Sequence, residues 1–337
     1  MNITIGIPTF NSGEYIYASL SRIQKEIMYR PLGIDQRIVV CINGTKDNST
    51  TRQEIERFER ESATIMIEVI EEERKGKNNA LNRIIRHARL EHLCDIIYFF
   101  DDDVWPSKGS FATNIETLIK HEKCHGLPVL VGSAMLAISH HPSHFIRLKK
   151  SLGKGLKAYF FHWVFTLPYR PDSERPKFCE GFSVGTFIRY IPYYPDDATG
   201  ITDDTFLSNY FASIGKEAYL SEGIPPIIKP PGSEAFVEIP YDYREWHRQQ
   251  VRVHAGIRRS FNSFSAEDQT FLFEYFQWPY AFNRESRVWP QNIAKHRLLH
   301  YALYRLLHEH NEKKACNFLV NGNIPDWGTA VSTKGCI

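Results

Sequence analysis

The sequence predicts an α/β fold: a doubly wound, mostly parallel sheet followed by a C-terminal helical extension. Three observations carry that prediction. Along the first hundred residues apolar spacing switches repeatedly between the two-residue period of strands and the 3.6-residue period of helices. The joining segments are short, as in the strand–helix–strand units that build parallel sheets. The fourth apolar run then stops abruptly at Asp101-Asp102-Asp103.

Ile3, Ile5 and Ile7 stand two apart and predict a strand closed by Pro8, since proline has no N–H for the ladder. Ile16, Leu20, Ile23 and Ile27 follow helical spacing, with Asn11 as the N-cap and Glu14 three residues on. Arg37 to Ile42 suits a buried strand, and Thr51-x-x-Glu54 forms a capping box ahead of Ile55 and Phe58. Thr64 to Ile70 is rich in strand formers, whereas Ala80, Leu81, Ile84, Ile85 and Ala88 make two helical rows. Asp95 to Phe100 is the fourth strand. Ligands bind beyond the carboxyl ends of such strands, so the loops after Ile7, Ile42, Ile70 and Phe100 are expected to line one crevice. Residues 128–138 predict one or two strands, and 156–169 are unusually aromatic. Past residue 260 the chain turns aromatic and helical, and two leucine rows with flanking basic residues predict an amphipathic helix over 290–315. That helix docks on the main domain, or faces another subunit or an anionic membrane surface.

With 337 residues the chain allows two domains, or one large domain with an appendage. Lys+Arg 41 against Asp+Glu 39 gives +2, so bulk charge suggests no nucleic-acid partner. The composition, 42% hydrophobic and 24% charged, excludes the disordered and collagenous classes. Six scattered cysteines without C-x-x-C spacing read as reduced thiols. The start lacks a secretory pattern and no run approaches a membrane span, so a cytoplasmic protein is expected, peripheral to the membrane's inner face if the last helix binds there.

Asp101-Asp102-Asp103 is the first candidate for chemistry. Three carboxylates after a buried strand repel one another unless a cation compensates them. Mn²⁺ or Mg²⁺ would suit, each taking one or two carboxylates together with phosphate oxygens and water.

Six motifs in order now resemble the family-2 glycosyltransferases of the GT-A fold, a Rossmann-like architecture. Ile7-Pro8-Thr9-Phe10-Asn11 is similar to that family's opening strand and nucleotide loop. Asn43-Gly44-Thr45-Lys46-Asp47-Asn48-Ser49 resembles its second loop, and Gly76-Lys77-Asn78-Asn79-Ala80-Leu81-Asn82 its Gly-Lys-x-x-Ala-Leu-Asn helix start. Asp101-Asp102-Asp103 stands where its metal-binding Asp-x-Asp stands. Asp203-Asp204-Thr205-Phe206-Leu207 resembles its Glu-Asp-x-x-Leu base motif, and Gln249-Gln250-Val251-Arg252-Val253 its Gln-x-x-Arg-Trp.

The resemblance implies a domain over 1–260, with a nucleotide-sugar half (1–110), an acceptor half (111–260) and a helical extension (261–337). It implies donor contacts from Pro8, Phe10, Asn11, Asn43, Lys77, Asp101, Asp102 and Arg252, metal ligands Asp101 and Asp103 for Mn²⁺ or Mg²⁺, and a base at Asp204 with Asp203 beside it. Three positions depart from the pattern. Ile42 replaces the first acid of the second loop, which leaves Asn43 to meet the base; Asp203 replaces Glu; Val253 replaces the Trp of processive synthases, which argues against long-chain polymerisation. Glu180 to Thr186 resembles the glycine-bearing acceptor loop.

Each position also has a plainer reading. Asn11 caps a helix; Lys77 belongs to a solvated basic run or, at a helix N-terminus, reaches a phosphate; Asp204 is a helix-terminal acid; His247 and His254 are ordinary helix residues or nitrogen ligands; Trp105, Trp163 and Trp246 are core or sugar platforms. The expected activity is inverting, metal-dependent transfer from a nucleoside diphosphate sugar, UDP-sugar first, to a hydroxyl of a glycan or lipid-linked acceptor. The alternatives are a nucleotidyltransferase making nucleotide sugars, or a non-catalytic sugar- or lipid-binding scaffold.

Overall fold

A computed structural model describes residues 1–13, 15–44, 49–90, 94–138, 160, 163–166, 179, 181–240, 242–276 and 298–320. The amino-terminal half alternates as the periodicity requires: β1 (Asn2–Thr9), α1 (Tyr15–Tyr29), β2 (Asp35–Asn43), α2 (Ser49–Glu61), β3 (Met66–Glu72), α3 (Lys77–Leu90) and β4 (Ile96–Phe100). Next come β5 (Trp105–Pro106), α4 (Ser110–His125), β6 (Leu130–Gly132), β7 (Ala134–Ala137), β8 (Ser183–Phe187), α5 (Asp203–Ile214) and α6 (Lys216–Glu222). The described chain closes with β9 (Ile227–Ile228), β10 (Glu234–Val237), α7 (Tyr243–Asn262), α8 (Ala266–Phe276) and α9 (Leu298–Val320).

Seven strands form the main sheet in the order β3-β2-β1-β4-β8-β6-β9, and β5-β10-β7 form a small second one. In the main sheet only β8 runs against its neighbours. The chain steps outward from β1 to β3 and returns to place β4 on the other side of β1. That reversal is the switch point at which such sheets open a crevice. Alternating strand residues supply two cores. Ile38, Val40 and Ile42 join Ile5, Ile7, Tyr98 and Phe100 under α1, α2 and α4. Val39, Cys41, Ile97 and Phe99 face α3 and α5. α3 lies so close that a Cβ on Gly6 would come within 2.8 Å of Ile84.

Several local expectations shift. β1 continues through Pro8 to Thr9, because the β4 ladder ends at Gly6 and Pro8 lies beyond it, where a strand tolerates proline. α1 begins at Tyr15, four residues past Asn11, which takes a left-handed turn at φ 46°. Glu14 lies outside the described residues, as do Thr45 to Asn48 and Glu180. α2 begins at Ser49, which leaves Thr51 inside the helix, where its Oγ1 accepts the Gly13 N–H at 3.0 Å. The segment 128–138 is two strands that enter different sheets. Of 156–169, Val164 and Phe165 are buried, and Trp246 stacks on Phe165 at 4.1 Å.

The expected tail helix is α9, and it docks on α7. Leu303 and Leu307 pack around Trp246, and Ala315 and Leu319 pack against Val251 and Ala255. Arg258 and Glu312 pair at 2.6 Å across the same interface. Leu299 and Leu306 stay about two-thirds exposed. Among the described residues no helix is long and apolar enough to cross a membrane.

Candidate active site

The site forms where β4 ends and three later segments fold back onto it. The Asp101 N–H donates to Phe182 O (3.0 Å), and the Phe182 N–H returns a bond to Asp101 Oδ2 (3.1 Å). Asp101 Oδ1 lies 2.6 Å from Lys77 Nζ. The same ammonium is 2.7 Å from Asp203 Oδ2 and 4.4 Å from the centre of the Phe182 ring. One lysine at the start of α3 thus bridges the end of β4 to the start of α5.

Electrostatics here are a contest between burial and charge. Burial pushes the Asp101 carboxyl up, Lys77 pulls it down, and Asp103 and Asp203 push it up again, to about 7. Burial works against the Lys77 ammonium, but Asp101 and Asp203 overcome it and hold the lysine charged. Asp204 is raised by burial and by Asp203, against the pull of the Gly181 N–H, Lys77 and the Thr205 N–H. Its Oδ2 accepts the Gly181 N–H at 3.1 Å, and its Oδ1 accepts the Thr205 N–H at 2.7 Å. The consecutive N–H groups of Gly181 and Phe182 therefore hold Asp204 and Asp101 side by side. Arg252 on α7 is half-buried; desolvation lowers its pKa, while Asp203 and Asp204 act in the opposite sense. The motif residues Lys77, Asp101, Asp203, Asp204 and Arg252, dispersed over 176 positions, meet in one crevice.

Other candidates take supporting places. Asp102 is buried; its Oδ2 accepts Thr9 Oγ1 (2.8 Å) and Ser12 Oγ, and its backbone O accepts Ser19 Oγ (2.5 Å). It fastens the acidic turn to the end of β1. Asp103 is half-buried and within electrostatic reach of Asp101, Tyr15 and Arg22. Asn43 clasps Gly76: the Gly76 N–H donates to its Oδ1 (3.1 Å), and its Nδ2 donates to Gly76 O. The Phe10 ring is flanked by Lys75 Nζ at 5.2 Å and by Gly44. Pro8 is buried in β1, and Asn11 is exposed at the crevice end of that strand. His254 faces His308 of α9 with ring centres 4.3 Å apart, and His247 Nδ1 meets Asn311 Oδ1. Both histidines belong to the α7–α9 interface.

At the start of α3 two of the open N–H groups find a partner within the protein. Asp197, in the short turn Asp197–Thr199, accepts the Asn78 N–H at Oδ1 (3.2 Å) and the Asn79 N–H at Oδ2 (2.8 Å). Asn78 Nδ2 donates to Ile201 O (3.2 Å), and Asn82 exchanges two bonds with the backbone of Tyr194, at 2.9 and 2.7 Å. The whole Gly-Lys-Asn-Asn-Ala-Leu-Asn motif seats the segment 194–204 that leads into Asp203 and Asp204. Sequence reasoning missed Asp197, Tyr194 and the Gly181–Phe182 amides. Asp196-Asp197-Ala198-Thr199-Gly200 is a turn signal, but nothing in it names a partner 118 residues away.

Among the described residues no three His, Cys, Asp or Glu side chains gather to hold a metal by themselves. Residues 4–169 match the family model of glycosyl transferase family 2. Among solved structures the chain is similar to the mannosyltransferase PcManGT from Pyrobaculum calidifontis in complex with GDP-Man and Mn²⁺. The two are 17% identical, the match covers 95% of this chain and 74% of that one, and the TM-score is 0.54, a likeness of fold. It is also similar to S. aureus TarS 1–349 in complex with UDP-GlcNAc, at 12% identity, 96% and 92% coverage and TM-score 0.49. No curated protein matches the chain.

Proposed function

We propose that this chain, whose residues 4–169 match the family model of glycosyl transferase family 2, moves a sugar from a UDP-sugar to a hydroxyl of a glycan or lipid-linked acceptor, with inversion. The observation that carries the reading is the Lys77 bridge, which brings the Asp101 end of β4 within one ammonium of the Asp203-Asp204 start of α5. Donor-side and acceptor-side carboxylates then line a single crevice.

The residues fit a hard divalent cation, Mn²⁺ or Mg²⁺. Their donor atoms are carboxylate oxygens, and four carboxylates (Asp101, Asp103, Asp203 and Asp204) stand against two cations, Lys77 and Arg252. Two protein carboxylates, Asp101 and Asp103, would hold the ion, and phosphate oxygens and water would complete its shell. When bound, the ion supplies positive charge to the departing diphosphate. Asp204 takes the proton of the acceptor hydroxyl as its oxygen bonds to the anomeric carbon. The bond from that carbon to the diphosphate breaks on the opposite side, so one displacement inverts the centre. Phe10, beside Gly44 at the ends of β1 and β2, is the surface for the base, and Arg252 faces the phosphates or a phosphorylated acceptor.

Asp103→Asn should abolish manganese-dependent UDP binding with the fold intact. Calorimetric titration of UDP with and without Mn²⁺ checks this; an unchanged manganese dependence would remove Asp103 from the metal site. A thermal-shift screen of nucleotide sugars with Mn²⁺ identifies the donor, because a ligand that binds only the folded state raises apparent stability by RT ln(1+[L]/Kd).

We assign the enzyme to the cytoplasm, with peripheral contact at the inner face of the membrane through α9. The support is its exposed leucines Leu299 and Leu306 together with Lys313 and Lys314. Flotation with anionic vesicles at low salt should carry the protein upward, and an unbound protein in that assay would restrict α9 to its docking role.

A further inference from the structure

The Lys77 bridge has a consequence for how the site fills. Lys77 Nζ lies against Asp101 Oδ1 and Asp203 Oδ2 at nearly equal distances, 2.6 and 2.7 Å. Its other neighbour is the Phe182 ring, which offers a face but no acceptor. Asp101 is the carboxylate that a divalent cation would share with Asp103, so the ammonium holds the charge position such a cation needs. The helix that carries Lys77 is fixed independently of that charge: Asp197 caps it, and Asn78 and Asn82 tie it to 194–204.

We propose that Lys77 is a positioning residue that serves as the resident counter-cation of Asp101, competes there with the divalent ion, and remains on Asp203 to hold the start of α5 when the ion arrives. This rests on the metal assignment made above. Two opposite effects follow for one substitution. An uncharged residue at 77 removes a competitor and a repelling charge, so the ion binds the empty enzyme more tightly. The same substitution frees Asp203 from its tether, so the neighbouring base loses its setting and turnover falls.

The test is Mn²⁺ titration of the nucleotide-free protein, followed by electron paramagnetic resonance of free Mn²⁺. Lys77→Met should bind Mn²⁺ about tenfold more tightly than wild type, the scale on which an adjacent unit charge moves a carboxylate equilibrium. Its kcat for transfer should fall while the donor KM moves little. Lys77→Gln, which keeps a hydrogen-bond donor but no charge, should behave alike and serves if the methionine variant does not fold. Asn82→Ala loosens the 194–204 segment without touching Lys77, and its Mn²⁺ affinity should equal that of wild type. Unchanged or weaker Mn²⁺ binding by both Lys77 variants would overturn the inference and leave the metal assignment standing. So would tighter binding by Asn82→Ala, because loosening rather than charge would then be the cause. Failure of wild type and all variants to bind Mn²⁺ would instead overturn the metal assignment, and the inference with it.

Discussion

Asp204→Asn should lower turnover by about 10²–10⁴, the value of a positioned general base, while UDP and Mn²⁺ affinities stay near those of wild type. The expectation follows from where Asp204 is held. Its oxygens accept the Gly181 and Thr205 N–H groups, and neither residue belongs to the β1–β4 half that presents Phe10, Asp101 and Asp103. An amide keeps the shape and one acceptor oxygen but cannot take the acceptor's proton. Stability should fall by about 1–3 kcal/mol, because the amide nitrogen must face one of the two N–H groups that the carboxylate accepts, with relief of repulsion with Asp203 acting against that loss. UDP titration and turnover measured on one preparation separate the roles. A variant that retains most of its turnover would shift the base to Asp203, although Lys77 already engages that carboxylate.

The second large effect is expected at Gly76. Its φ of +134° is a conformation that L side chains rarely adopt, and an added Cβ would lie 2.1 Å from Asp197 Cγ and Oδ2. Gly76→Ala must therefore strain the turn and expel the acid that caps α3. The backbone should cost about 1–3 kcal/mol, and the lost cap about 0.5–2 kcal/mol. Activity should fall as well, because Asp197 lies six residues before Asp203 on the segment that α3 seats. Urea denaturation checks the stability. Gly223 offers the comparison: it too has a positive φ, of 70°, but no neighbour within 4 Å of an added Cβ. Gly223→Ala, in the αL region that L residues do reach, should cost about 1–2 kcal/mol, and a loss in Gly76→Ala no larger than that would show that the Asp197 contact contributes nothing.

The amino-terminal sheet was legible because its signal is local. The continuous apolar run from Ile38 to Ile42 is set by burial on both faces of a wound sheet, and helical rows such as Ala80 to Ala88 by packing against one of them; each appears within a few residues. Strand ends were harder. Pro8 looked terminal, yet β1 passes it because the neighbouring ladder has already stopped at Gly6. The candidates Asp101, Asp203, Asp204 and Arg252 were picked out by motif resemblance, and the structure brings them near one another.

What the sequence hid was the division between contact and support. Lys77 and Asn43, expected as donor contacts, also bond within the protein, to Asp101 and Asp203 and to Gly76 respectively. The cap of α3 comes from Asp197, and that of α4 from Glu26 on α1, which accepts the Gly109 and Phe111 N–H groups at 3.0 and 2.9 Å. Helix-end donors can be satisfied by any acid that the tertiary fold delivers, so no local pattern identifies such partners. α9 is the counterpart at the other end of the chain. Its leucine rows were visible, but which leucines dock was decided by the shape of α7 around Trp246.

Asp101, Asp103 and Asp204 are proposed to serve one transfer reaction from a nucleotide sugar. The most direct test of that assignment is release of UDP from a panel of UDP-sugars, with Mn²⁺ and without any acceptor, where water takes the place of the hydroxyl. Slow, manganese-dependent hydrolysis of one UDP-sugar above the others is expected, lost in Asp103→Asn and strongly reduced in Asp204→Asn. Folded wild-type protein that cleaves no UDP-sugar at any manganese concentration, or cleavage that survives both substitutions, would contradict it.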